Sequence, residues 1–259
     1  MGIRIQWGAL SDRGQVRLRN EDNHVVWVAD DPKLPLQAFF AVADGMGGHP
    51  GGADASRLAT EELKQIFTSM KTPLDSPEDE LAVAFHRVHE KIRETGRTTP
   101  DLCGMGTTLT ALLVTRREIY GAHVGDSRLY EIPAGGSEII LLTKDHTLAQ
   151  EQADAGIIPN TRLEEHPLSH ILTRSVGAGD APGVDVLKIG RPGPEPRTFI
   201  ISSDGLIRVV SEQEIPTAVK GKSPEEAVHA LVDLANSRGA PDNVTVIFVG
   251  IRSEDSPPA

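Results

Sequence analysis

The sequence predicts a single α+β domain built mainly on antiparallel strands. Three observations favour this class: short strand-like apolar runs lie near both ends of the chain, two stretches with helical spacing follow each other between residues 54 and 96, and four strand-like runs succeed one another from Thr107. The regular strand–helix alternation of dinucleotide-binding folds is missing. With 259 residues and 39% hydrophobic content, the chain is long enough to bury a substantial core.

Three strands are predicted in the N-terminal part, over 3–9, 23–29 and 39–43. The third is an apolar run that stops at Asp44 and is followed by a glycine-rich stretch, DGMGGHPGG, in which a ligand can approach the main chain closely. The polar segment SDRGQVRLRNED lies between the first two strands and brings Arg17, Glu21 and Asp22 together. Taken alone, that segment is best interpreted as a charged hairpin connection.

Two amphipathic helices are predicted next. Apolar residues recur at helical spacing over 54–70, and again after Ser76 and Pro77, which are typical N-cap and first-turn residues. Gly96 is expected to end the second helix. His86 and His89 are expected on its solvated side.

From Thr107 the pattern changes to TTLTALLVT, IYGAHV, RLYEI and SEIILLT, which predicts an antiparallel meander of four strands. Its second turn contains Asp126, within a Gly-Asp-Ser sequence that is common in turns. The following segment, from Asp145 to about residue 172, has a short helical stretch and few apolar residues, and we expect it to form a flap.

The C-terminal part repeats the earlier pattern, since the apolar run TFIISSDG ends at Asp204. A capping box of Ser223 and Glu226 predicts a helix that ends near Gly239. Asp242 stands at the entrance of a final strand, VTVIFVGI, and 253–259 is expected to be a short disordered tail.

Composition excludes several classes of protein. A net charge of -11 and the lack of a Lys/Arg cluster disfavour a nucleic-acid partner. Cys103 is the single cysteine, so an internal disulfide and a thiolate zinc site are excluded, and we expect it to be a small buried apolar residue. No apolar stretch is long enough to cross a membrane and no signal peptide is evident, so we expect a cytoplasmic protein without membrane contact.

Six acidic residues share one property, which is that each lies at a predicted strand end or in a tight turn beside one. They are Glu21, Asp22, Asp44, Asp126, Asp204 and Asp242. Oxygen ligands without cysteine favour Mg²⁺ or Mn²⁺, and two such ions about 3.5–4 Å apart can activate a bridging water and polarise a phosphoryl oxygen. Arg17 offers a planar fork for a phosphate. These residues leave phosphatase, nuclease and other two-metal hydrolases open, although the acidic surface disfavours a nuclease.

Six motifs, in this order, resemble those of the bacterial metal-dependent Ser/Thr protein phosphatases of the PP2C type, the PPM family. They are Arg17-x-x-Asn20-Glu21-Asp22-Asn23, Asp44-Gly45-Met46-Gly47-Gly48-His49, Gly106-Thr107-Thr108, Gly125-Asp126-Ser127-Arg128, Ser203-Asp204-Gly205 and Asp242-Asn243. The resemblance implies a four-layer α-β-β-α sandwich, two antiparallel sheets flanked by helices, as one phosphatase domain over 1–252 with a flap at about 145–190.

The resemblance also implies a role for each acidic residue. Asp44 would bridge two Mn²⁺ or Mg²⁺ ions, and the Gly45 carbonyl would bind one of them. Asp204 and Asp242 would hold the other ion. The remaining acidic residues would act more weakly, Glu21 and Asp22 largely through metal-bound water and Asp126 through a third ion shared with Asp204.

The implied reaction is hydrolysis of phosphoserine or phosphothreonine in proteins by a metal-bridged hydroxide, without a phospho-enzyme. Arg17 would clamp the phosphate, so that the catalytic set is Arg17, Asp44, Asp204 and Asp242. Many eukaryotic relatives have histidine where this chain has Met46, whose thioether cannot donate a proton. His49 and a water on the third metal are both candidate proton donors.

Two functions are consistent with this fold. The first is a phosphatase that acts as a monomer on the phosphoprotein products of a Ser/Thr kinase. The second is a catalytically silent, phosphoprotein-binding regulatory module. Six mutually repelling carboxylates disfavour the silent module, because such a module has no need to keep them together.

Overall fold

The computed structural model describes residues 2–46, 51–69, 76–136, 138–159, 163 and 166–254. Ten strands are described: β1 Ile3–Asp12, β2 Asp22–Val28, β3 Leu36–Asp44, β4 Leu109–Thr115, β5 Ile119–Val124, β6 Arg128–Ile132, β7 Ile140–Leu141, β8 Asp185–Gly190, β9 Arg197–Ser202 and β10 Val244–Ser253. The described α-helices are α1 Gly52–Thr68, α2 Pro77–Thr98, α3 Leu148–Asp154, α4 Asp204–Ile207, α5 Glu214–Val219 and α6 Pro224–Ser237.

The strands form two five-stranded antiparallel sheets, in the orders β1-β10-β9-β6-β7 and β2-β3-β4-β5-β8. Strand β3 explains why they stack, because both of its faces are apolar. Phe40 and Val42 pack with residues of β9 and β10 between the sheets, whereas Phe39 and Ala41 pack with α1 and α2 on the outside. A third apolar cluster lies between the β1-containing sheet and α4–α6. The predicted four-layer sandwich is confirmed.

The predicted helices are confirmed with two corrections. Helix α2 does not end at Gly96, which is buried inside it, where an added Cβ would lie 2.8 Å from the Leu102 carbonyl. The helix ends two residues later, just before the pair Thr99–Pro100, because the residue before a proline disfavours helical backbone. His89 is fully buried rather than solvated, and its Nδ1 accepts a hydrogen bond from the Gly177 amide at 3.0 Å.

The predicted four-stranded meander is wrong. Strands β4 and β5 pair in one sheet and β6 and β7 in the other, so the turn around Asp126 crosses between the two sheets. Every residue of β5 is buried and four of the five in β6 are, so buried and exposed positions do not alternate along these strands to show where the chain changes sheet.

Two boundaries and the burial of one residue also differ from expectation. The expected flap at about 145–190 ends in β8, which pairs with β5, so only the segment before Asp185 lies outside the sheets. Ser253 belongs to β10 and the amide of Glu254 donates to the Gly2 carbonyl, while 255–259 lie outside the described residues. Cys103 is exposed rather than buried, in the turn after α2. None of the helices in the described ranges is long and apolar enough to cross a membrane.

Candidate metal centre

The ends of β2 and β3 bring the first acidic residues together. The antiparallel register sets Asp22 opposite Asp44, and the Gly45 amide donates to the Glu21 carbonyl at 3.1 Å. A side chain at Gly45 would lie 2.6 Å from that carbonyl and would overlap the backbone of Gly52, so the close approach of these segments requires glycine.

The Gly-Thr-Thr motif fixes the backbone of Asp44. The Thr108 hydroxyl accepts from the Asp44 amide at 3.0 Å, and the Thr107 hydroxyl donates to the Asp44 carbonyl at 2.8 Å. The Thr108 hydroxyl is also hydrogen-bonded to that of Ser127 at 2.8 Å. One buried threonine therefore connects Asp44 to the turn that carries Asp126.

Strands β9 and β10 supply the other two aspartates. Asp204 is the first residue of α4, two residues beyond β9, and Asp242 stands two residues before β10. The Ser203 amide donates to the Thr245 carbonyl at 3.0 Å and thereby brings these segments together. A side chain at Gly205 would overlap the backbone carbonyl of Asn243, so this position also requires glycine.

Asn243 holds the polar loop that contains Arg17. Its side-chain amide donates to the carbonyls of Arg13 and Arg19 at 2.8 and 2.9 Å, and its oxygen accepts from the Glu21 amide at 2.8 Å. Sequence reasoning treated this asparagine only as part of a motif. Its three partners lie at least 222 residues away in the chain, so no local sequence signal reveals this role.

Asp22 is the most enclosed acidic residue of the group, with 5% of its surface exposed. One oxygen accepts from the hydroxyls of Ser203 and Thr245 at 2.8 and 2.7 Å, and the other has no hydrogen-bond partner among the described residues. Burial raises the pKa of this carboxyl above its ordinary value.

Electrostatics places Asp44 at the centre of the group. Burial, and then the nearby carboxylates of four other aspartates, raise the pKa of Asp44 well above its ordinary value; those neighbours are Asp22, Asp204, Asp126 and Asp242. Burial followed by the charge of Asp204 likewise raises the pKa of Asp126. Glu21 has a raised pKa chiefly because of burial, with Arg17 opposing the shift. The fold has thus gathered the six acidic residues predicted from sequence into one region.

Two arginines neutralise part of this charge. Arg17 donates to Asp242 at 2.8 Å, and the Arg208 Nε donates to Asp204 at 2.9 Å. Arg208 also lies 3.9 Å from Asp242. Sequence reasoning missed Arg208, although its position four residues after Asp204 on a helix is the spacing at which such pairs form.

The donor set fits a hard divalent cation. With Asp242 and Asp204 turned towards arginines, no three described Asp, Glu, His or Cys side chains are arranged to share one ion. Nevertheless, Asp204, like Asp22, has one buried oxygen without a described hydrogen-bond partner. A cation would remove both the unpaired oxygens and the repulsion that raises the pKa of Asp44, and carboxylate and carbonyl oxygens suit Mg²⁺ or Mn²⁺.

A cavity of about 460 Å³ adjoins these acidic residues. Asp126 and Asp204 line it together with Gln150, Ser169 and His170 of the expected flap. The candidate proton donor His49 lies outside the described residues, as do both glycines that precede it.

Comparison with known proteins identifies the family. The family model described as Protein phosphatase 2C matches residues 13–237. The chain belongs to the protein phosphatase 2C family. The serine/threonine phosphatase Stp of Listeria welshimeri is 35% identical over 242 residues, which cover 92% of this chain and 93% of that protein.

Solved structures of this family have the same fold. The crystal structure of the serine/threonine phosphatase PstP/Ppp of Mycobacterium tuberculosis aligns with a TM-score of 0.81 at 33% identity, over 96% of this chain and 99% of that one. The catalytic domain of PstP in complex with two manganese ions aligns with a TM-score of 0.79 at 32% identity, over 97% of this chain and all of that one.

Proposed function

We propose that this member of the protein phosphatase 2C family is a metal-dependent protein-serine/threonine phosphatase. The observation that carries the proposal is the convergence of carboxylates from both sheets around Asp44, with the pKa of Asp44 raised by its neighbours. The named relative Stp and the manganese-containing PstP structure support the same activity.

Four groups would hold two Mn²⁺ or Mg²⁺ ions. They are the carboxylates of Asp44, Asp204 and Asp242 and the carbonyl of Gly45, with Glu21 and Asp22 acting behind them. Bound there, such ions supply Lewis-acid activation of water and charge stabilisation at the phosphoryl oxygens. Asp126, which lies near enough to Asp204 for the charge of that residue to raise its pKa, is the proposed ligand of a third and weaker ion.

Arg17 is the proposed phosphate-binding residue. Its guanidinium is 41% exposed and only its Nη2 is engaged by Asp242. If Asp242 held a cation instead, the fork of Arg17 would be available to grip two phosphate oxygens. The side-chain amide of Asn243 holds the loop of Arg17 in place, because it donates to the carbonyls of Arg13 and Arg19, one before and one after Arg17.

The proposed substrates are phosphoproteins made by a Ser/Thr kinase, acted on by a monomer. The cavity between Asp204 and the flap gives a peptide chain room beside the metal-binding residues. Two candidate donors for the leaving oxygen stay proposals, namely His49, which lies outside the described residues, and a water on the third metal near Asp126.

Phosphate release from a phosphothreonine peptide tests the proposal. We expect release with Mn²⁺, none with a chelator, and none from Asp204→Asn with Mn²⁺. The matched control is Asp233→Asn, an exposed acidic residue on the outer helix α6, which should release phosphate like the wild type. Peptide binding without release would favour the silent module, and equal release in the presence of chelator would refute metal dependence.

A further inference from the structure

His146 lies where the flap leaves the sheets and is bonded to both backbone groups of Gly125. Its amide donates to the Gly125 carbonyl at 2.7 Å, and its Nδ1 accepts from the Gly125 amide at 3.1 Å. Only 5% of this side chain is exposed. Neither the family motifs nor the proposed chemistry gives this histidine a role.

The second ring nitrogen points away from the turn. Because Nδ1 accepts from an amide, the proton of the neutral ring is on Nε2, which donates to Asp185 at 3.1 Å and also lies 3.1 Å from the Arg174 Nη1. Asp185, the first residue of β8, also accepts from Arg174 at 2.9 Å. The ring packs against His123, with centroids 4.7 Å apart, so its orientation is fixed from three sides.

The same residue closes the root of the flap. The His146 carbonyl accepts from the Thr173 amide at 2.9 Å, and the Leu148 amide donates to the Ile171 carbonyl at 2.8 Å. The start of the flap is therefore paired with residues 171–173, directly beside Gly125.

Gly125 in turn determines where the next residue, Asp126, is placed. Its φ of +118° is a conformation that favours glycine, and an added Cβ would lie 2.6 Å from Thr108. The turn is thus held by His146 on one side and by Thr108 on the other. Asp126 is 7% exposed at the wall of the cavity, so its carboxylate has little freedom once the turn is fixed.

We propose that His146 is a positioning residue that fixes the Gly125–Asp126 turn through Nδ1 and so couples the flap root to the Asp126 carboxylate. The inference rests on the proposed function, and specifically on Asp126 as the ligand of the weaker ion. Two substitutions separate the two ring nitrogens. In His146→Asn the amide oxygen takes the place of Nδ1, whereas in His146→Gln the amide nitrogen takes the place of Nε2.

The test measures the Mn²⁺ concentration for half-maximal phosphate release, together with Mn²⁺ binding by calorimetry. His146→Gln, which loses the acceptor for Gly125, should raise that concentration and weaken the weaker calorimetric site about tenfold, a size typical of residues behind a metal ligand. His146→Asn should stay within about twofold of the wild type. In an Asp126→Ala background the Gln substitution should have no further effect.

Three results would overturn the inference: equal effects of Asn and Gln, an unchanged weaker site in His146→Gln, or the same loss in the Asp126→Ala background. Thermal unfolding of each variant identifies a general loss of structure. If the Gln variant does not fold, His146→Ala replaces it with the same expectation. If the wild type bound Mn²⁺ but released no phosphate, the proposed function would be refuted. The inference about His146 would still be testable, because calorimetry compares Mn²⁺ binding by the variants without any phosphate release.

Discussion

Replacing Thr108 by valine removes one hydroxyl and keeps the shape of the side chain. The hydroxyl is 2.8 Å from that of Ser127 and accepts from the Asp44 amide at 3.0 Å, in a side chain only 2% exposed. Loss of the bond to Ser127 costs about 1 kcal/mol, and leaving a buried amide unpaired costs about 1–3 kcal/mol. Thr108→Val should therefore lower the free energy of unfolding by about 2–4 kcal/mol.

Ser127→Ala is the matched control, because it breaks the same hydroxyl pair and leaves the Asp44 amide bonded. Its expected cost is about 1 kcal/mol. Urea unfolding of both variants in chelator gives the two free energies, and phosphate release with Mn²⁺ should fall further in Thr108→Val. Equal destabilisation by the two variants would refute the reasoning that Thr108 acts by holding Asp44.

Three other outcomes follow from the same structure. Arg208→Gln should bind Mn²⁺ about fivefold more tightly by calorimetry, because the ion would no longer compete with Arg208 for Asp204, in a partly exposed ion pair worth about 1 kcal/mol. Unchanged affinity would contradict this. In urea unfolding, Gly205→Ala should have a free energy of unfolding lower by about 3 kcal/mol or more, because its Cβ overlaps a backbone carbonyl. Gly193→Ala, which has open space around its Cβ, should stay within about 0.5 kcal/mol of the wild type. Burial lowers the pKa of His123 to about 3 from an ordinary 6.5, so between pH 6 and 4 the unfolded chain takes up a proton that the folded ring does not. As the pH falls from 6 to 4, the free energy of unfolding of the wild type should therefore decrease by about 1.4 kcal/mol per pH unit more than that of His123→Asn. Parallel pH profiles of the two proteins would contradict the lowered pKa of His123.

Residue patterns predicted the acidic cluster because antiparallel register converts sequence position into spatial position. An apolar run that stops at Asp44 places that carboxylate at the end of a buried strand, and the same reasoning applies near Asp204. The family resemblance then supplied the four-layer arrangement, which periodicity alone did not specify.

Features that depend on contacts distant in sequence could not be predicted. The assignment of β5 and β6 to different sheets follows from packing, since nearly every residue of both strands is buried and no alternation of buried and exposed positions distinguishes one sheet from the other. The bonds from His146 to Gly125 and Asp185 join residues far apart in the chain, and a histidine in a polar segment is expected to be solvated. Cys103 was wrongly expected to be buried, because cysteine is buried on average whereas this turn lies at the surface.

In the proposed function, Asp44 organises the metal centre that hydrolyses phosphoserine and phosphothreonine. Bound Mn²⁺ and phosphate release, measured on the same samples of wild type and Asp44→Asn, test this role, with thermal unfolding as a check on folding. We expect about two Mn²⁺ per wild-type chain together with phosphate release, and a folded Asp44→Asn protein that has lost bound Mn²⁺ and all phosphate release. Undiminished release by Asp44→Asn would contradict this role.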